Sequence, residues 1–76
     1  MKELVSFIAT SLVDDRAAVE VNQVEKDDAT VLELRVAKDD LGKVIGKQGR
    51  TARAIRSLLA ASVAKSGGKV RLEILD

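Results

Sequence analysis

With 76 residues, no cysteine and no histidine, the chain has room for one domain and lacks both a disulfide framework and a thiolate or imidazole metal site to reinforce it. A chain this short buries only about 60% of the surface it exposes when unfolded, so its stability rests on a modest core or on a partner subunit. Thirteen basic and 12 acidic side chains nearly cancel, no apolar run approaches the ~18 residues of a membrane helix, and the opening MKELVSFIATSLVDD interrupts with polar residues what a secretion signal keeps apolar; a cytoplasmic protein with no membrane partner is expected.

Leu4, Ile8 and Leu12 recur at intervals of four with Val5 and Ala9 beside them, the apolar stripe of an amphipathic helix that Asp14 and Asp15 close. Val19, Val21 and Val24 indicate a short strand, and Lys26, Asp27 and Asp28 a polar turn. Leu32, Leu34 and Val36 alternate with Glu33 and Arg35, a second strand with one buried and one wet face. The two strands make a hairpin. Asp39 or Asp40 is placed to cap a short helix carrying Leu41, Val44 and Ile45, which stops at Gly46. A longer helix starts after Gly49, turns Ala52, Ile55, Leu58, Leu59 and Val63 inward, and ends at Gly67 and Gly68. Val70, Leu72 and Ile74 then alternate with Lys69, Arg71 and Glu73 as a third strand. Residues 1–76 are thus read as a single α+β domain of order α-β-β-α-α-β, three helices packed against a three-stranded sheet. The path from the second strand to the third is long enough for a right-handed parallel crossover, so the sheet is expected to be mixed.

The net charge of +1 hides a segregation. Residues 1–40 hold five basic and ten acidic side chains, whereas residues 41–76 hold eight and two, and no carboxylate occurs between Leu41 and Leu72. Such asymmetry points to an anionic partner for the second half. At its centre Gly46 and Gly49 remove two β-carbons from a helix-to-helix connection, letting the backbone take positive φ and open its amides to an anion. The following helix begins there, with free N–H groups and a positive dipole end. Lys47 sits between the glycines and Lys43 one turn before them, and Arg50, Arg53 and Arg56 fall within about a third of the helix circumference. A bare Gly-x-x-Gly also serves as an unliganded turn, and surface arginines also serve only solvation; five cations around an acid-free loop favour the ligand.

Val44-Ile45-Gly46-Lys47-Gln48-Gly49 resembles the VIGxxG signature of the KH domain, and the element order is similar to the prokaryotic, type II form of that fold. The resemblance covers the whole chain and points to the small stand-alone bacterial KH proteins. It implies an RNA-binding protein that grips the backbone of about four single-stranded nucleotides. Gly46 and Gly49 are then the loop glycines, Lys47 and Gln48 the exposed tip, Val44 and Ile45 the apolar groove floor, and the strand around Leu34 to Val36 the opposite wall. Lys43, Arg50 and Arg53 complete the expected RNA-binding set. One departure is visible: Ala52 stands where many KH domains carry isoleucine or leucine, which bears on the depth of the groove. The resemblance further implies a post-transcriptional regulator or RNA chaperone that pairs with itself or with a larger KH-domain protein, in cell-envelope growth and cell-length control. It implies no cofactor, metal or small-molecule substrate.

The only aromatic residue is Phe7, so stacking of bases on aromatic rings is unavailable, and Phe7 is expected in the core or at a dimer contact. Leu58, Leu59, Ala60, Ala61 and Ala64 give the long helix more apolar and small surface than one face needs, compatible with association. If two to four phosphates are neutralised, log K against log salt should fall with a slope of about −1.5 to −3. Two other readings compete. The aspartate pairs 14/15, 27/28 and 39/40 could hold a metal or do acid–base chemistry, yet each falls where a helix end or turn uses aspartate for capping, and Ser57 or Ser66 would lack a base. A KH-like dimerisation module without RNA is the alternative, although the loop glycines are intact and its tip carries no acid.

Overall fold

The computed structural model describes residues 1–75, the side chain of Ser66 excepted, so that Ser66 as a nucleophile and Asp76 lie outside the described residues. Six main elements follow in the expected order: α1 (Lys2–Leu12), β1 (Glu20–Lys26), β2 (Ala29–Arg35), α2 (Leu41–Ile45), α3 (Arg50–Val63) and β3 (Val70–Leu75). Short 3₁₀ turns at Arg16–Ala18, Lys38–Asp40, Lys47–Gly49 and Ala64–Ser66 lie between or beside them. The sheet is ordered β1-β2-β3, with β1 antiparallel and β3 parallel to β2. It is therefore mixed, as the length of the β2–β3 crossover implies.

Local chemistry explains the connections. β1 and β2 pair through Lys26 and Ala29, which leaves Asp27 and Asp28 as a two-residue loop at φ 53° and 64°. Positive φ at both central positions is the hairpin geometry whose twist matches its strands, and aspartate tolerates it through its short polar side chain. At the far end of α3, Gly67 turns left-handed at φ 71°. Its N–H donates to Ala64 O and that of Gly68 to Val63 O, both at 3.3 Å, a Schellman closure that satisfies the last helical carbonyls.

The core lies between the sheet and the helices. Leu32 and Leu34 of β2, Leu72 of β3 and Val21 of β1 meet Val5 and Ala9 of α1, Val44 of α2, and Ile55 and Leu59 of α3. Leu32, Leu34, Leu59, Val5 and Val44 are the largest fully buried side chains, each contributing about 1.5–3 kcal/mol. Three expectations change in detail. On α1 the small residues Val5 and Ala9 are the ones that lie on the sheet, and Leu4 and Leu12 sit at the rim, 37% exposed. Phe7, two residues or about 200° around the helix from Val5, points away and is 70% exposed, which removes it from the core. On α3, Leu58 is likewise turned outward beside the buried Leu59, and Ala60, Ala61 and Ala64 are exposed. No helix among the described residues is long and apolar enough to cross a membrane.

Candidate nucleic-acid interface

α2 stops because Gly46, its N–H donating to Gly42 O at 2.8 Å, takes φ 79° and ψ 168°. Gly49 follows at φ 75° and ψ 13°, and its N–H closes the turn on Gly46 O at 3.1 Å. The two glycines are needed for different reasons. A β-carbon on Gly46 would lie 2.2 Å from Thr51 Oγ1 and 2.8 Å from Thr51 N, whereas one on Gly49 would meet nothing within 4 Å, leaving only the positive φ to favour glycine there. Between them Gln48 also adopts left-handed backbone, φ 58° and ψ 24°, without glycine's freedom to do so. Among the described residues, no backbone hydrogen bond outside the regular elements uses the N–H of Lys47 or Gln48. α3 begins at once, and its first turn carries no side-chain cap, so donors collect at one corner.

The five cations around this corner are not equivalent. Lys47 and Arg50 are exposed and take part in no ion pair among the described residues. The Arg53 guanidinium folds back and donates to Gln48 O at 2.9 Å. Arg56 donates through Nε and Nη2 to Leu72 O at 3.4 and 3.3 Å. Thr30 N–H bonds Lys69 O, so the alternate carbonyls of β3, Leu72 among them, face the open edge of the sheet, and Arg56 covers one.

Lys43 is held elsewhere. Its ammonium pairs with Asp14 and, at 3.3 Å, with Asp40 Oδ1. Asp40 does not cap α2 with its side chain, as the sequence led one to expect. It is buried, and its Oδ2 accepts the N–H of Asp15 at 3.0 Å, reaching across to the connection after α1. That N–H, with the N–H of Asp14 and the Lys43 ammonium, holds the Asp40 carboxyl below the usual carboxylate range against the opposing effect of burial. Lys43 is raised above the ordinary lysine value by its bonds to Asp14 and then Asp40. The aspartates at 14, 15 and 40 thus make a structural clasp that ties α2 to α1. Among the described residues no group of three His, Cys, Asp or Glu side chains could hold a metal ion.

Of the two residues expected on the groove floor, Val44 is wholly buried in the core, and Ile45, 39% exposed, alone offers surface. Leu34 is also completely buried. Val36 is buried too, at 6% exposure, so the stretch opens only at Arg35, which with Val36, Lys38 and Leu41 lines a cleft of about 440 Å³ where β2 runs into α2. Leu41 and Ile45 are four apart on one helix and share a side, so Ile45 lies on the same side of α2 as the Leu41 that lines the cleft. Arg35 and Lys38 escaped the sequence reading because they stand in the acidic half. Two cations flanking Val36 were the available signal. Thr51, which fixes Gly46, had none.

A family model described as "KhpA/KhpB, KH domain" matches residues 2–74. The chain belongs to this KH-domain family. Relatives resemble it along nearly its whole length. A protein of Borreliella burgdorferi is 54% identical over 97% of this chain and 90% of its own. One of Clostridium perfringens is 52% identical over 99% and 100%, and one of Aquifex aeolicus 49% over 100% and 96%. All three bear the name RNA-binding protein KhpA.

Proposed function

We propose that this protein binds single-stranded RNA by clamping about four nucleotides of its backbone at the loop Gly46–Gly49. The observation that carries this reading is the loop itself. Gly46 has no room for a β-carbon; among the described residues, the N–H groups of Lys47 and Gln48 are uncommitted outside the regular elements, and the cations Lys47 and Arg50 beside them take part in no ion pair. Ile45 and Leu41 supply apolar surface for bases along the cleft, with Arg35 and Lys38 as further phosphate contacts. Val44 supports the loop from within the core, and Lys43 joins the site when a phosphate replaces its exposed partner Asp14. The names of the relatives support the ligand class.

The finer reading follows the family. The chain acts as a post-transcriptional regulator or RNA chaperone in the cytoplasm, paired with a second copy or with a KhpB-type KH protein, in cell-envelope growth and cell-length control. Phe7, Leu4 and Leu12 on α1 and Leu58 on α3, all exposed, offer apolar surface for pairing. They also keep open the second reading, a KH-like pairing module without RNA. Replacing Lys47 and Gln48 together by aspartate separates the two. Under RNA clamping, affinity for a short single-stranded RNA falls at least about tenfold while Tm stays within about 4 °C, because both side chains are exposed. Retained affinity places the ligand elsewhere, and a collapsed melt makes the loop structural.

A further inference from the structure

We propose that Arg53 is a positioning residue, which shapes the loop for RNA by pinning the Gln48 carbonyl instead of contacting phosphate. The proposal rests on the clamp reading above. Helical side chains lean towards the N-terminus, so Arg53, in the first turn of α3, reaches back over the loop and donates from Nη2 to Gln48 O at 2.9 Å. The other end of the same peptide unit is also tied, since the N–H of Gly49 donates to Gly46 O at 3.1 Å. One peptide plane is thereby fixed at both ends. Gln48 adopts φ 58° at a cost to any residue with a β-carbon, and the Arg53 bond offsets that cost only in this conformation. The neighbouring N–H groups of Lys47 and Gln48 are left uncommitted outside the regular elements, oriented before any ligand arrives. Pre-orientation of this kind raises affinity by removing the ordering step from binding.

A phosphate contact and a latch differ in what they leave behind when removed. Arg53→Met keeps the aliphatic stem and deletes both the charge and the donors. The latch predicts that amide exchange at Gly49, whose N–H is bonded to Gly46 O, quickens by about tenfold in the free protein. It also predicts that affinity for a short single-stranded RNA falls by about threefold to tenfold, with the slope of log K against log salt unchanged. Gln48→Gly, which relieves the backbone cost, should shrink the Arg53→Met effect on exchange in the double variant. Unchanged exchange in Arg53→Met, or a slope shallower by about 0.7, overturns the latch and returns Arg53 to direct phosphate contact. Wild-type protein that moves no loop amide with RNA would sink the clamp reading, and the role of Arg53 in binding with it, whereas loss confined to the variants bears on the latch alone.

Discussion

Two corners of this molecule bend the chain in nearly the same way. At the hairpin tip Asp27 and Asp28 take φ 53° and 64°; at the loop Gln48 and Gly49 take 58° and 75°. The hairpin corner is fully explained by its strands, since Lys26 and Ala29 pair across it and aspartate suits a left-handed turn. The loop corner closes no ladder. It holds a long side chain where a short one is easier, fastens that residue's carbonyl with Arg53, and excludes a β-carbon at Gly46. It lies in the stretch without carboxylates, whereas Glu25, Asp27 and Asp28 surround the hairpin tip. Equal backbone geometry at unequal local cost marks the loop as the corner with a use beyond folding.

Substitutions that treat the two corners alike should expose the difference. The largest effect is expected from Gly46→Ala, whose β-carbon would lie 2.2 Å from Thr51 Oγ1. Strain and repacking of about 3 kcal/mol or more should lower Tm by at least about 12 °C, while Gly49→Ala, which meets no atom, loses only about 1–2 kcal/mol. Thermal melts of the pair check this ordering. Next comes Asp40→Asn, which weakens the clasp behind the loop and should lower Tm by about 5–10 °C. The folded pKa of Asp40 is depressed, so its contribution is present above the unfolded value near about 3.9 and is lost as pH falls through the folded value. Lys43 is raised, so its share is present below about 10.4 and is lost as pH rises through the folded value. Melts across pH should show the wild-type advantage over Asp40→Asn shrinking in acid. The smallest effects come from exchanging the tips. The variant with aspartate at 47 and 48 carries the hairpin pair in the loop and should still fold. Asp27→Lys with Asp28→Gln, the reverse exchange, should cost about 1 kcal/mol, for want of a latch on a left-handed glutamine, and should leave loop amide shifts with RNA unaltered.

Much of the fold was legible because it depends on local period. Alternation in Leu32, Leu34 and Val36 and the glycines at 46, 49 and 67 declare strands and breaks without reference to anything distant. What sequence could not resolve was which of two adjacent apolar residues faces inward. Val44 and Ile45, or Leu58 and Leu59, are equivalent to a periodicity argument and differ only in the packing beneath them. Partners remote in the chain were equally hidden. Asp40 resembles a helix cap until the Asp15 N–H, 25 residues away, comes to rest on it. The five cations were visible, but not that Lys43, Arg53 and Arg56 each hold a protein oxygen, which leaves Lys47 and Arg50 as the two in no such pair among the described residues.

The most direct test is an amide chemical-shift titration of the whole chain with a single-stranded RNA of about six nucleotides at low salt, repeated at rising ionic strength. The account predicts shifts centred on residues 45–51 and extending along the cleft at 35–41, with affinity falling against salt at a log–log slope of about −1.5 to −3. Shifts centred on the hairpin or α1, with residues 45–51 unmoved, would contradict it.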